Sequence, residues 1–396
     1  MIFNSKFLKI ISLFLVILFC FQFLYVFADD VDFTLNARSA IILDRTSKNI
    51  LYGKNEYRKV KMASTTKIMT AIVILENCDL SQTVQVSKKA AGTGGSRLGL
   101  KANDKITVND LLYGLLLCSG NDAAVCLAEV CSGSVKDFSD LMNSKAEELG
   151  LKNSHFETPH GLDSDEHYTT AYELALLTNY ALENPTFKKM VGTKTYTVTI
   201  NGYPKTLSNT NELLGNLNGV YGVKTGFTNG ANRCLVTACK RDNMDIICVV
   251  LGCDTKKFRT SDSIKLIEYA FKNYEYVNIK NIIDEKFLIW KEENLNNVNI
   301  VKGVNSNLSI KYSDLENPII PMKKEEISSL AVNFKLNSPL EAPIAINDKV
   351  GTITVVSNGI PIIECDILSD CEIKRKNVFY YFYELFKEIE CIESIL

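Results

Sequence analysis

The chain has 396 residues, 46% of them hydrophobic and 23% charged, an ordinary globular composition with enough length for two or three domains. Forty-four basic against 46 acidic residues give a formal net charge of −2, which argues against a nucleic-acid partner, since that would need a basic face. Twelve cysteines without a Cys-x-x-Cys, and three histidines (His155, His160, His167) grouped in one stretch, provide no zinc-type ligand spacing.

In chain order, Lys6 and Lys9 precede an unbroken apolar run from Ile10 to Phe27, and Val26-Phe27-Ala28 ends on a small residue just before the acidic pair Asp29-Asp30. This is the pattern of a secretory signal peptide, residues 1–28, cleaved after Ala28. The rival is an uncleaved anchor, since 18 apolar residues just span a bilayer. Either reading places the remainder outside the cytoplasm. Cleavage removes Lys6 and Lys9 and takes the formal charge from −2 to −4. Export permits disulfides, yet Cys118, Cys126, Cys234, Cys239, Cys248 and Cys253 sit inside apolar runs and read as buried thiols.

Ala37 to Leu43 and Ile50 to Tyr52 flank a polar turn and predict an opening hairpin. A helix is expected from Ser64, in "KMASTTKIMTAIVILEN". A second is announced by the capping pattern Thr107-Val-Asn-Asp110, breaks at Ser119-Gly120-Asn121, and resumes as "DAAVCLAEVC". Further helices are expected over Lys136 to Leu149, stopped by Gly150, and over Thr170 to Glu183. The period then changes to strands at 194–200, 221–225, 233–240 and 245–251, followed by a helix from Ser261 to Tyr274. From 277 to 372, short runs such as "KFLIW", "AVNFKL" and "GTITVV" predict a small all-β domain. In residues 373–396 an apolar stripe (Val378, Phe379, Phe382, Leu385, Phe386, Ile389, Ile392, Ile395) predicts an amphipathic helix, either packed on the body or lying on a membrane surface.

The chemistry concentrates in three short motifs. Ser64 and Lys67, three apart on a helix, share a face, so an amine can take the proton that makes a serine nucleophilic. Lysine serves as that base only when burial or a nearby cation lowers its pKa by a few units, and a helix N-terminus disfavours its charged form. Alone, the pair also fits an N-capping serine beside a solvated lysine. Ser119 and Asn121, at the helix break, offer a proton relay and an amide to hold a substrate amide. Lys224-Thr225-Gly226, at the end of a strand, offers a cation and a hydroxyl to an anion, with room for a peptide to approach the strand edge.

Ser-x-x-Lys, Ser-x-Asn and Lys-Thr-Gly in this order form the set found in β-lactamases and penicillin-binding proteins. With "LLYGLLLCSGNDAAVCLAE", "TPHGLD", "HYTTAYELA" and "GVKTGFTNGANRCLV", the chain resembles a low-molecular-mass penicillin-binding protein of the D-alanyl-D-alanine carboxypeptidase family over roughly 32–274, continuing into the β domain and terminal helix. The resemblance implies an α/β (α+β) catalytic domain over residues 29–276, its antiparallel sheet flanked by helices. It implies Ser64 as the acylated nucleophile, Lys67 as proton acceptor, Ser119 as relay and Asn121 as the amide-holding wall. Lys224 and Thr225 would bind the substrate's terminal carboxylate beside Gly226, with an oxyanion hole from the N–H groups of Ser64 and Phe227. Arg259, just ahead of the last helix, resembles an arginine near the carboxylate pocket, with Lys256, Lys257 and Arg233 as alternatives. His160 and Asp163 read as structural.

The substrate implied is a peptidoglycan pentapeptide ending in D-Ala-D-Ala, with β-lactam antibiotics as covalent inhibitors. No metal or cofactor enters the scheme. The rivals are a serine β-lactamase of the same fold and a non-catalytic wall-binding homologue. The lactamase type with these motifs uses a glutamate in a Glu-x-x-Leu-Asn-like loop, a string absent here, although Glu157 and Glu166 lie in a suitable region.

Overall fold

The computed structural model describes residues 33–295 and 298–393, with side chains as far as 387. The leader at 1–28 lies outside the described residues. From Asn36 onward the chain belongs to one compact unit.

Its centre is a five-stranded sheet in the order Ile50–Lys54, Ser39–Asp44, Met244–Cys253, Asn232–Arg241, Val220–Thr228, antiparallel throughout. Ser39–Asp44 is buried along its whole length because helices cover both faces of the sheet. Ile41, Leu43, Val236 and Val249 pack with the helices Lys67–Asn77, Val108–Leu116, Asn121–Ser132 and Ala171–Glu183 in one core. On the opposite face, Cys248 lies under Ser263 of the helix Lys256–Asn273, whose Leu266, Ile267 and Ala270 are buried. The described cysteines are all free thiols, six of them buried. Val220–Thr228 ends the sheet on one side, and its outer edge is where the motif residues gather.

Most of the expected helix signals work as chemistry. The Thr107 hydroxyl accepts from the Asp110 N–H at 3.1 Å, and Thr170 does the same for Glu173 at 3.0 Å, each satisfying an otherwise orphaned first-turn donor. Gly150, at φ +71°, closes Val135–Glu148 in the left-handed region.

Three expectations need correction. The helix expected from Ser64 starts as a 3-10 turn, Ala63–Thr66, and becomes α-helical only at Lys67. The Thr65 and Thr66 hydroxyls donate back to the carbonyls of Met62 and Ala63 at 2.6 and 2.8 Å, which tightens that turn. The last catalytic-domain helix starts at Lys256 rather than Ser261, because the Thr255 hydroxyl caps it at Phe258 N–H. Arg259 is thus inside that helix, not ahead of it. "KFLIW" is not a strand either: it belongs to the helix Ile279–Asn294, capped by Asn278, which buries Ile279, Ile283 and Phe287 at a spacing of four.

The rest of the small domain is mostly β-structure, chiefly a four-stranded sheet ordered Ile310–Tyr312, Ile360–Ser369, Lys349–Ser357, Ala331–Leu336, with a second, short helix at Lys324–Ile327 that the all-β expectation also missed. It has its own core, including Ile283, Phe287, Ile353, Val355 and Ile367. Trp290, the single tryptophan of the chain, stacks on Phe334 at 5.2 Å between ring centres, with Phe287 against both. The terminal helix Val378–Glu393 leaves its described apolar side chains in solvent, with Phe379 82% and Phe386 65% exposed. Ile389, Ile392 and Ile395 lie beyond the described side chains. Among the described residues no helix is long and apolar enough to cross a membrane.

Candidate active site

The 3-10 turn sets Ser64 half-buried above the first turn of the Lys67 helix. Lys67 is fully buried, and its Nζ lies 2.9 Å from Ser64 Oγ, 2.8 Å from Asn121 Oδ1 and 2.7 Å from the His160 carbonyl oxygen. Burial, reinforced by the Lys224 cation, holds this amine well below the ordinary lysine range. The three contacts then have a definite sense. Two of the partners can only accept, because the Asn121 Nδ2 donates to the Gly94 carbonyl at 2.8 Å and so turns Oδ1 toward the lysine. A neutral amine spends its two N–H bonds on Asn121 and His160, and its lone pair is left facing the Ser64 hydroxyl. That is the arrangement a base requires.

Asn121 opens the helix Asn121–Ser132 after the break, where Ser119 takes φ +62°. Ser119 is buried, and among the described residues its hydroxyl has no protein partner. The break is held by Asp122, fully buried, whose carboxylate accepts from the N–H groups of Leu98, Gly99 and Leu100 at 2.7, 2.7 and 3.0 Å. Nothing in the motif reading singled Asp122 out, although it adjoins Asn121.

Facing them is the free edge of Val220–Thr228. Lys224 is buried, donates to the Thr225 carbonyl at 3.0 Å, and is brought down to about 7 by burial, with Arg259 adding to the shift. Thr225 shares a 2.7 Å hydroxyl contact with Thr210. A Cβ on Gly226 would meet Ala63 Cβ, Met62 O and Ser64 N, each at 3.2 Å, so glycine lets the strand press against the serine turn. Phe227 is 47% exposed, with the Arg233 guanidinium stacked 3.6 Å over its ring. Arg259 is buried and reaches Glu212 at 3.5 Å, while its Nε has no partner among the described residues. Lys256 is engaged by the same glutamate.

The "PHGLD" loop closes the site from the third side. Asp163 accepts from Thr228 Oγ1 at 2.6 Å and from the Gly230 N–H at 2.9 Å, bracing the hairpin beyond the strand edge. His160 contributes its carbonyl rather than its ring, which burial keeps neutral by lowering it to about 3. Gly161, at φ +85°, passes so close to the serine turn that a Cβ would lie 2.0 Å from Ala63 O. Gly161→Ala is therefore expected to cost roughly 2–4 kcal/mol of stability and to slow any reaction at Ser64. Denaturant unfolding and active-site titration check both effects.

Fold and motif order are those of penicillin-binding serine hydrolases, and comparison with known proteins agrees. The profile of the D-alanyl-D-alanine carboxypeptidase family matches residues 26–255, and that of the penicillin-binding protein 5 C-terminal domain matches residues 285–375. D-alanyl-D-alanine carboxypeptidase DacF of Bacillus subtilis is 34% identical over 345 residues, 86% of each chain, and DacC of Escherichia coli is 35% identical over 82% of this chain and 81% of that one. Among solved structures, DacD of Francisella tularensis superposes with a TM-score of 0.72 at 27% identity, over 89% of this chain and 97% of that one. The Streptomyces K15 DD-transpeptidase superposes with a TM-score of 0.59 at 35% identity, over 61% and 99%. The chain belongs to the D-alanyl-D-alanine carboxypeptidase family and is a serine-type peptidase.

Proposed function

We propose that Ser64 is the nucleophile that removes the terminal D-alanine from a peptidoglycan stem peptide, with Lys67 as its base. The observation that carries this is the setting of Lys67, fully buried with its Nζ 2.9 Å from Ser64 Oγ and held on its other sides by two acceptors, Asn121 Oδ1 and the His160 carbonyl. In the proposed sequence, Ser64 Oγ attacks the carbonyl carbon of the penultimate D-alanine as its proton passes to Lys67 Nζ. The N–H groups of Ser64 and Phe227 hold the developing oxyanion. Ser119 relays a proton to the departing amine of the terminal D-alanine, and water then hydrolyses the ester. Lys224, Thr225 and Arg259 hold the terminal carboxylate, the unpaired Arg259 Nε supporting that assignment. Asn121 and the edge strand at Gly226 align the peptide.

The test is a pair of measurements: D-alanine release from a diacyl-Lys-D-Ala-D-Ala peptide, and intact mass after penicillin. One adduct per chain, mapped to Ser64 and turning over slowly, is the expected result. Sustained penicillin hydrolysis would favour the lactamase reading. Against that reading, Glu166 is exposed, and among the described residues neither Glu157 nor Glu166 hydrogen-bonds to Ser64 or Lys67. Absence of D-alanine release with retained wall binding would favour a non-catalytic homologue.

The state of Lys224 gives a pH signature. Its cation is present below about 7 and attracts the substrate carboxylate; above that pH the neutral amine attracts it less. KM for a carboxylate-terminated peptide should therefore rise as pH increases through about 7, measured from initial rates across that range.

We also read residues 1–28 as an export signal, which places the enzyme outside the cytoplasm, at the outer face of the cell membrane. The exposed stripe of Val378, Phe379, Phe382, Leu385 and Phe386 supports attachment to a membrane surface. A mature N-terminus at Asp29, and sedimentation with lipid vesicles that is lost on truncation at 377, are the results expected.

A further inference from the structure

His167 is 2% exposed and enters no step above. Its Nδ1 lies 3.0 Å from the Glu157 backbone nitrogen, and a backbone N–H can only donate. Nδ1 is thereby the acceptor, and the ring proton resides on Nε2. Nε2 lies 2.8 Å from Thr66 Oγ1, so this N–H donates to the hydroxyl, and the hydroxyl donates in turn to the Ala63 carbonyl at 2.8 Å. The chain of donors has one direction, from Glu157 through His167 and Thr66 to Ala63. Burial, by lowering His167 to about 4, preserves the neutral ring that this direction needs.

The Ala63 carbonyl belongs to the same planar peptide unit as the Ser64 N–H. Ala63 itself stands at φ +49°, a left-handed conformation costing an alanine about 1–2 kcal/mol. A hydrogen bond to its carbonyl fixes the plane of that peptide and so the direction of the N–H on its other side. Bonds in series also polarise one another, making that N–H a stronger donor.

We propose that His167 is a positioning residue for acylation, aiming and polarising the Ser64 N–H through Thr66 and the Ala63 carbonyl. This rests on the reading of that N–H as an oxyanion donor. A histidine serving only to brace its loop would affect stability and leave the rate untouched.

Two substitutions of the ring separate its two bonds. The amide nitrogen of glutamine reaches as far as imidazole Nε2, whereas an asparagine reaches only as far as Nδ1. His167→Gln keeps the donor to Thr66, and His167→Asn keeps only the acceptor for Glu157. Thr66→Val interrupts the chain without touching the histidine, and Thr66→Ser restores it. The readout is the rate constant of acylation at saturating β-lactam, with half-saturation concentration and melting temperature recorded for each variant.

His167→Asn and Thr66→Val are expected to acylate roughly tenfold more slowly with half-saturation unchanged, and His167→Gln and Thr66→Ser to stay within about threefold of wild type. A Thr66→Val enzyme acylating at the wild-type rate would overturn the proposal. So would equal slowing of His167→Gln and His167→Asn. Peptide mapping of the wild-type adduct comes first: an adduct away from Ser64 removes the functional reading itself, whereas an adduct on Ser64 with rate-neutral variants removes only the role of His167.

Discussion

Ser64→Ala should leave a folded protein that gains no mass from penicillin and releases D-alanine at least about 10⁴-fold more slowly than wild type. The size follows from the loss of the covalent route, since no second nucleophile stands at the end of the Lys67 lone pair. The effect on stability should be small. Ser64 is half-buried, and the hydrogen bond its hydroxyl makes with Lys67 at 2.9 Å is worth about 1 kcal/mol. Intact mass and thermal unfolding of the same sample check the two halves together. A Ser64→Ala protein that still carried the adduct would place the nucleophile elsewhere.

The second large effect is expected at Lys67. Lys67→Met preserves the length and burial of the side chain while removing the lone pair, and acylation should fall by about 10²- to 10⁴-fold. Lys67→Arg makes the complementary case. A guanidinium supplies donors for Asn121 Oδ1 and the His160 carbonyl but cannot give up its proton, so charge and hydrogen bonding return without basicity. Arginine should therefore be no better than methionine. Acylation rate measured by stopped-flow with a chromogenic β-lactam decides this, and near-wild-type activity of either variant would remove Lys67 from the base role.

How far the site could be read in advance depended on how local its chemistry is. Ser64 with Lys67, Ser119 with Asn121, and Lys224 through Phe227 each form a unit within four residues, and the fold brings the three units together. Supporting groups left no such mark. Asp122 matters because it gathers three amides from Leu98 to Leu100, and Gly161 because it grazes Ala63, contacts across tens of residues of chain that no spacing encodes. His167 is similar: the quoted "HYTT" contains it, but its partner Thr66 stands a hundred residues earlier.

The fold shows the same division. Elements with a chemical start or stop, such as those opened by Thr107 and Thr170 or closed by Gly150, lie where their capping residues predict. "KFLIW" misleads because a five-residue apolar run fits a strand and a buried helix equally. The deciding information is the spacing of Ile279, Ile283 and Phe287, which begins before the run. Arg259 illustrates a boundary error of a few residues, set by Thr255, whose cap outweighs the polar stretch after it.

Trp290 has a practical corollary. Because the only indole in the protein is stacked against Phe334 in the smaller core, its fluorescence reports the melting of that region alone, while circular dichroism follows helices spread through both. Coincident optical transitions would mark the two cores as a single cooperative unit, and separated ones would reveal which gives way first, without any label being introduced.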